Sequence, residues 1–127
     1  MKKILIVEDE EIMLKALVEK FSSEGFEVVQ AIDGEEGLKK ALREKPDIIL
    51  LDILLPKMDG MAVLKKLRED TWGKHAKVIL LTNVSDAETV AMGAEFGTGE
   101  GEVYEYLVKT DWTLDEVVQK VKNRLQI

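Results

Sequence analysis

The chain has 127 residues, of which 46% are hydrophobic and 34% are charged, and its formal net charge is −7. This length and composition predict one soluble globular domain with its own core. The excess of acidic residues argues against non-specific binding to nucleic acid, because the phosphate backbone would be repelled. With no cysteine there are no disulfides or thiolate metal sites, and no apolar run approaches the length of a membrane span.

The start of the chain is similar to a signal peptide only superficially. Its apolar run covers residues 4–7 and ends at the acidic residues 8–11. A secretory signal needs a longer apolar region. We therefore expect a cytoplasmic protein.

Strand and helix patterns alternate along the chain. Short β-branched or continuously apolar runs predict five strands, at residues 2–7, 26–31, 48–51, 78–81 and 103–108. A helical spacing of apolar residues follows each run, within residues 12–21, 38–42, 61–67, 85–95 and 114–125. Asp33 and Thr113 are placed to cap the second and fifth helices, and Gly25 to stop the first.

This alternation predicts an open α/β sandwich with a parallel sheet. Parallel neighbours need crossover connections, which are nearly always right-handed. Residues 48–51 are apolar throughout, typical of a central strand with helices on both faces. Ligands of such sheets bind beyond the carboxyl ends of the strands. The residues that follow each strand are therefore the candidates for function.

Chemically complementary residues end four of the five predicted strands: Glu8 and Asp9, Asp52, Thr82, and Lys109. Three carboxylates at one edge repel one another unless a cation offsets their charge. Oxygen ligands with bound water suit Mg²⁺, and a carboxylate can accept a phosphoryl group. The sequence therefore predicts a Mg²⁺ site with Asp52 as the nucleophile. Lys109 would neutralise the phosphoryl oxygens, and the Thr82 hydroxyl would donate a hydrogen bond to one of them.

Each of these residues also has an ordinary explanation. Acids after a strand often cap helices, and a strand-end Thr or Lys often faces solvent. Taken together, however, four separate strands would have to deliver matching chemistry to one edge by chance. The combination favours a phosphoacceptor domain.

Four segments resemble the receiver domain of bacterial and archaeal response regulators: residues 4–10, 50–60, 81–82 and 106–109. The resemblance extends over essentially the whole chain, residues 1–127, and is most specific from Asp52 to Gly60. It implies a five-stranded, doubly wound sheet of flavodoxin-like order 2-1-3-4-5 with helices on both faces. The chemotaxis receiver of this family is itself an example of the crevice rule, so the two arguments are not independent.

The resemblance also implies roles for individual residues. Asp9 and Asp52 would bind Mg²⁺ together with the backbone carbonyl of Leu54, and Glu8 would hold a metal-bound water. Asp52 would accept the phosphoryl group from a sensor histidine kinase or a histidine phosphotransfer protein, in contact with Lys109. The chain would be a signalling phosphoacceptor and not an enzyme.

Thr82 and Tyr106 would form the conformational relay of such a switch. Phosphorylation adds a near-dianion with three acceptor oxygens. Thr82 moving toward it would leave space for the Tyr106 ring, which repacks a protein-docking face built from the fourth helix, the fifth strand and the last helix.

Three departures from the family surround this relay. Asn83 replaces the small residue that usually follows the switch Thr, and Thr110 stands where a proline with a cis bond usually follows the Lys. A cis bond without proline costs about 2.5–4 kcal/mol, so we expect a trans bond and a different approach to the last helix past Trp112. Residues 95–103 form a longer link that is rich in Gly and Glu.

The fourth departure concerns the lifetime of the signal. Family members position the hydrolytic water with residues that here are Leu54 and Val84, both apolar. Neither side chain can hydrogen-bond a water. We therefore expect slow self-dephosphorylation.

Other functions stay open from the sequence alone. A relay intermediate that passes phosphate to a histidine fits the same residues. A haloacid-dehalogenase-like phosphatase is disfavoured because Leu54 stands where its second Asp would be. A phosphorylation-independent receiver is disfavoured by the intact Asp, Thr and Lys set. We expect a stand-alone receiver, either monomeric or a weak phosphorylation-dependent dimer, with a fragment of a longer protein as the alternative.

Overall fold

Residues 1–82 and 105–127 are described by a computed structural model. Their strands form one parallel sheet of order β2-β1-β3-β4-β5, which confirms the predicted fold class. The strands are β1 Lys3–Val7, β2 Glu27–Ala31, β3 Ile48–Leu51, β4 Val78–Thr82 and β5 Glu105–Val108. The α-helices of the described residues are α1 Glu11–Ser23, α2 Gly34–Glu44, α3 Gly60–Glu69 and α4 Leu114–Leu125. The helix predicted within residues 85–95, the long link 95–103, Asn83 and Val84 lie outside the described residues.

The central strands of the sheet are buried on both faces, and they are almost entirely apolar. Successive side chains of a strand point to opposite faces. Ile4 and Ile6 of β1 pack with apolar side chains of α1 and α4, whereas Leu5 and Val7 pack with those of α2 and α3. The continuous run Ile48–Leu51 is fully inside for the same reason, as the sequence predicted.

The order in which strands are added to the sheet reverses between β1 and β3. β2 lies on one side of β1 and β3 on the other, so consecutive crossovers diverge at this point. In register, Val7 of β1 lies beside Leu51 of β3. The two residues that follow them therefore leave the sheet side by side, at the place where ligands of such folds bind.

Capping contacts place the helices at this edge. The Asp33 carboxylate accepts a hydrogen bond of 2.8 Å from the Glu36 amide at the start of α2. Thr113 and Glu116 form a capping box at the start of α4. Both predicted caps are confirmed, and each satisfies amides that have no partner within the helix. None of the helices in the described part of the chain has the length and apolar content that a bilayer crossing requires.

Candidate functional site

Three carboxylates meet at the carboxyl edge of β1 and β3. Glu8, Asp9 and Asp52 each offer an oxygen that lies within 4.8 Å of the other two. Glu8 is 2% exposed and Asp52 is 6% exposed, while Asp9 is open to solvent. The β1–β3 register produces this cluster, because Glu8 and Asp52 are the residues directly after the paired Val7 and Leu51.

Lys109 reaches the cluster from the end of β5, the last strand of the sheet. Its Nζ lies 2.5 Å from Glu8 Oε1 and 3.1 Å from Asp52 Oδ2. β4 lies between β3 and β5, so the side chains of Lys109 and Asp52 together bridge about two strand spacings of 4.7–4.9 Å each. Lysine is the longest unbranched side chain and suits this role, and Lys109 is the first residue of the 3-10 turn that follows β5.

The charges of the site are unbalanced. Burial raises the pKa of Glu8 from 4.5 to about 7; the Lys109 hydrogen bond opposes this rise and the charge of Asp52 adds to it. Burial alone would lower the pKa of Lys109, but its hydrogen bond to Glu8 and the charge of Asp52 outweigh burial and raise the pKa. One ammonium therefore faces three acids.

This donor set fits a hard divalent cation. Carboxylate oxygens are the ligands that Mg²⁺ takes, and two positive charges would favour the ionised form of Glu8 against the burial and the Asp52 charge that raise its pKa. Asp9 leaves one side of the cluster open to solvent and hence to water ligands. Glu8, Asp9 and Asp52, which the sequence predicted as metal ligands or holders of metal-bound water, are thus brought together.

The loop after β3 aims the Asp52 carboxylate. The Leu54 amide donates to Asp52 Oδ1 at 3.3 Å, and the Gly60 amide donates to the Ile53 carbonyl at 2.7 Å. A Cβ on Gly60 would overlap the Asp52 carbonyl oxygen, so the tight turn requires glycine. The side chain of Leu54 is 60% exposed while its backbone contacts the acceptor residue.

The two predicted relay residues are placed by their strands only. Thr82 ends β4 and pairs in register with Val108, and Tyr106 pairs with Leu80. The backbone of Thr82 thus belongs to the same edge as Asp52. The side chains of Thr82 and Tyr106 lie outside the described part of the chain.

The departure at Thr110 alters the chain after Lys109. The described residues contain no cis peptide bond, which confirms the expected trans bond after Lys109. A turn of 3-10 helix takes the place of the proline corner, and Trp112 then packs partly buried against the cluster around α1 and α4. Lys120 of α4 lies 5.2 Å from the centre of the Trp112 ring.

Sequence reasoning missed the contact between α2 and the loop after β3. The Gly34 amide donates to the Pro56 carbonyl at 3.2 Å, and the Lys57 ammonium lies 3.6 Å from the Asp33 carboxylate. The only local signal was a glycine directly after a helix-capping aspartate. Nothing in the sequence pairs that position with residues 56–58.

Comparison with known proteins agrees with this geometry. The profile of the response regulator receiver domain matches residues 4–122. The alkaline phosphatase synthesis transcriptional regulatory protein PhoP of Bacillus subtilis is 44% identical over 100 residues, which are 78% of this chain and 40% of PhoP. The chain thus spans less than half the length of this curated relative.

Solved structures with the same fold include metal-bound receivers. CheY in the CheX–CheY–BeF3–Mg²⁺ complex of Borrelia burgdorferi is 31% identical with a TM-score of 0.82, over 98% of this chain and 89% of that chain. TrrA of Thermotoga maritima, in complex with Mg²⁺ and BeF, is 35% identical with a TM-score of 0.79, over 97% of this chain and 98% of that chain. From the profile match and these likenesses, the chain belongs to the response regulator receiver domain family.

Proposed function

We propose that Asp52 is a Mg²⁺-dependent phosphoacceptor that takes its phosphoryl group from a histidine of a sensor kinase or a phosphotransfer protein. The observation that carries this proposal is the buried Asp52 carboxylate, which lies beside Glu8 and Asp9 and 3.1 Å from Lys109. Receiver domains act as signalling phosphoacceptors and interact with such partners. The partner of this chain and the output of its signal belong to the proposal.

The transfer requires little from the chain beyond position and charge. An oxygen of Asp52 attacks phosphorus and forms an O–P bond as the N–P bond of phosphohistidine breaks. The electron pair of that bond returns to the imidazole nitrogen, which takes up a proton. The Leu54 amide already holds Asp52 Oδ1, so the carboxylate is oriented before the donor arrives.

Lys109 neutralises the charge that the phosphoryl group brings. Its ammonium contacts Asp52 Oδ2 in the unmodified protein and can pass to a phosphoryl oxygen without leaving the site. Bound Mg²⁺, held by Asp9, Asp52 and the Leu54 carbonyl with Glu8 on a metal water, would offset the remaining negative charge. The protein is modified once per transfer and does not turn over as an enzyme does.

The switch that reports phosphorylation would use Thr82 and Tyr106. In support, β4 delivers the backbone of Thr82 to the edge of Asp52, and Tyr106 lies on the neighbouring strand. A hydroxyl drawn to the phosphoryl group would repack the face that contains β5 and α4 and so change what docks there.

Labelling with acetyl phosphate tests the proposal on this chain directly. We expect one acid-stable, base-labile phosphoryl group by mass spectrometry in the presence of Mg²⁺, and none after chelation of the metal or in Asp52→Asn. Asp47→Asn is the matched control, because Asp47 accepts a hydrogen bond from the Lys3 amide at the other end of the sheet. Label that persists in Asp52→Asn would disprove the assignment.

A further inference from the structure

The first residues of α2 contact the loop that contains the proposed phosphoacceptor Asp52. We call residues 52–59, between β3 and α3, the acceptor loop. The Gly34 amide donates a hydrogen bond of 3.2 Å to the carbonyl of Pro56 in this loop. A Cβ on Gly34 would overlap the Met58 carbonyl oxygen and lie 2.6 Å from its carbon, so only glycine lets the two backbones approach this closely.

A second contact joins the same two segments. Asp33 uses Oδ1 to cap α2 and Oδ2 to approach the Lys57 ammonium at 3.6 Å. Lys57 has a φ of 68°, a left-handed conformation that is unfavourable for a residue with a Cβ. Such a conformation persists where the surroundings hold it. Asp33 contacts Lys57 itself, and Gly34 contacts the residues on either side of it, Pro56 and Met58.

The start of α2 is itself fixed against the sheet. A Cβ on Gly37 would lie 2.8 Å from Cγ1 of Val7, the residue before Glu8. The absence of a side chain at Gly37 therefore allows α2 to pack directly against β1. The Glu36 carboxylate also accepts a hydrogen bond of 3.0 Å from the Ile32 amide. α2 therefore provides a firm support for the acceptor loop.

Other backbone amides in and after the acceptor loop fix the position of Asp52. The Leu54 amide holds Asp52 Oδ1, and the Gly60 amide closes the loop on the Ile53 carbonyl. Only Leu55 separates Leu54 from Pro56, and its amide donates to the Ile53 carbonyl at 3.1 Å, so we expect a shift at residues 56–58 to move Leu54. The orientation of the carboxylate thus depends on where α2 holds the loop.

We propose that Gly34 is a positioning residue for the phosphoacceptor: its contact with Pro56 and Met58 holds the acceptor loop in the shape that aims Asp52 and presents Leu54 to the metal. The proposal rests on the proposed function, since it deepens the role of Asp52. Gly34 touches neither donor nor metal and acts only through the loop.

Gly34→Ala tests the proposal, with Gly73→Ala as its matched control. A Cβ on Gly73 would also overlap a backbone carbonyl, that of Leu67, but Gly73 lies before β4 at the opposite edge of the sheet. In the metal-free protein, we expect Gly34→Ala to speed hydrogen exchange at the Leu54 and Gly60 amides at least tenfold. By calorimetry, we expect it to weaken Mg²⁺ binding at least tenfold, with a similar loss in the rate of labelling by acetyl phosphate.

Gly73→Ala should lower stability while leaving Mg²⁺ affinity and labelling of the folded protein within about twofold of the original chain. Equal losses in both variants, or unchanged Mg²⁺ affinity in a folded Gly34→Ala, would overturn the proposal. Failure of the unaltered chain to bind Mg²⁺ or to become labelled would instead refute the proposed function. The two failures are therefore distinguishable.

If Gly34→Ala does not fold, a second pair of variants tests the same contact between α2 and the acceptor loop. Asp33→Asn and Lys57→Met both remove the ion pair between α2 and the acceptor loop, but they change the net charge in opposite directions. For a partly exposed pair, we expect both to weaken Mg²⁺ binding by about two- to fivefold. A gain in affinity for Lys57→Met would show that only the electrostatic field matters and would refute the positioning role.

Discussion

The ammonium of Lys109 lies 2.5 Å from Oε1 of Glu8, although two strands of the sheet separate β5 from β1. The side chains of Lys109 and Glu8 together therefore bridge the carboxyl edge from β5 to β1. Lys109 holds Glu8 and Asp52 together before any phosphoryl group arrives, at 2.5 and 3.1 Å respectively. The same cation is therefore both a structural tie in the unmodified protein and the proposed contact of the phosphoryl oxygens.

Loss of this cation should affect stability as well as chemistry. Lys109→Met leaves two buried carboxylates without their ammonium, and removal of one partner of a buried pair costs about 3–5 kcal/mol. We expect a fall near the lower end of that range at pH 8 without Mg²⁺, and a smaller fall at pH 5 where Glu8 is protonated. Urea unfolding measures both values.

Lys15→Met is the control for this loss, because Lys15 is an exposed lysine of α1. Its effect on the free energy of unfolding should stay within about 0.5 kcal/mol. Equal stability of Lys109→Met and the unaltered chain at both pH values would contradict the assigned tie. A labelling rate by acetyl phosphate that does not fall in Lys109→Met would contradict its role toward the phosphoryl group.

The raised pKa of Glu8 predicts how the stability of the metal-free protein varies with pH. Because the folded pKa is about 7 and the ordinary value 4.5, stability from protonated Glu8 is fully present below about pH 4.5. That contribution is lost as the pH rises through 7. Each pKa unit corresponds to about 1.4 kcal/mol, so the loss is on the order of 3 kcal/mol.

Chemical unfolding between pH 5 and 8 checks this slope. Glu8→Gln should flatten it, whereas Glu11→Gln, an exposed change in the first turn of α1, should not. Saturating Mg²⁺ should also reduce the slope, because binding of the cation favours the carboxylate form. A flat profile for the unaltered metal-free chain would be inconsistent with the assigned pKa.

The apolar residue at Leu54 predicts a long-lived phosphoryl group. Its side chain is 60% exposed beside the acceptor and offers no hydrogen bond to a water. Leu54→Asn supplies both a donor and an acceptor, and we expect several-fold faster loss of the label in Mg²⁺ buffer after removal of acetyl phosphate.

Ile32→Asn is the matched control, since Ile32 is an apolar side chain 56% exposed that lines a cavity with Asp9. The decay of its label should be unchanged. A lifetime of seconds for the unaltered chain would refute the prediction of slow hydrolysis. Val84, the second apolar residue of that prediction, lies outside the described residues.

The capping box at Thr113 should contribute to stability without touching the site. Thr113 accepts from the Glu116 amide at 3.2 Å, and its own amide donates to the Glu116 carboxylate at 2.9 Å. Thr113→Ala should lower the free energy of unfolding by about 1 kcal/mol, and Thr113→Ser should restore most of it. Thermal unfolding measures the difference. If Thr113→Ala reduced the free energy of Mg²⁺ binding by more than the free energy of unfolding, α4 would also help to position Lys109.

Much of the fold was predictable because the signals are local. The continuous run at residues 48–51 became β3 with the same bounds, and the caps at Asp33 and Thr113 began α2 and α4 as expected. Boundaries differed by a residue where strand ends depend on pairing: β2 begins at Glu27 and β4 includes Thr82. The strand-end acids and Lys109 were predicted as candidates because parallel strands bring their carboxyl ends to one edge.

By itself, the sequence determined which chemical groups reach that edge, because side-chain periodicity and caps depend on neighbouring residues. The tertiary structure alone decided which of them touch. It paired Lys109 with Glu8 and set Gly34 against Met58. These contacts join segments that are far apart along the chain, and their distances follow from strand order and backbone packing, which no local pattern encodes.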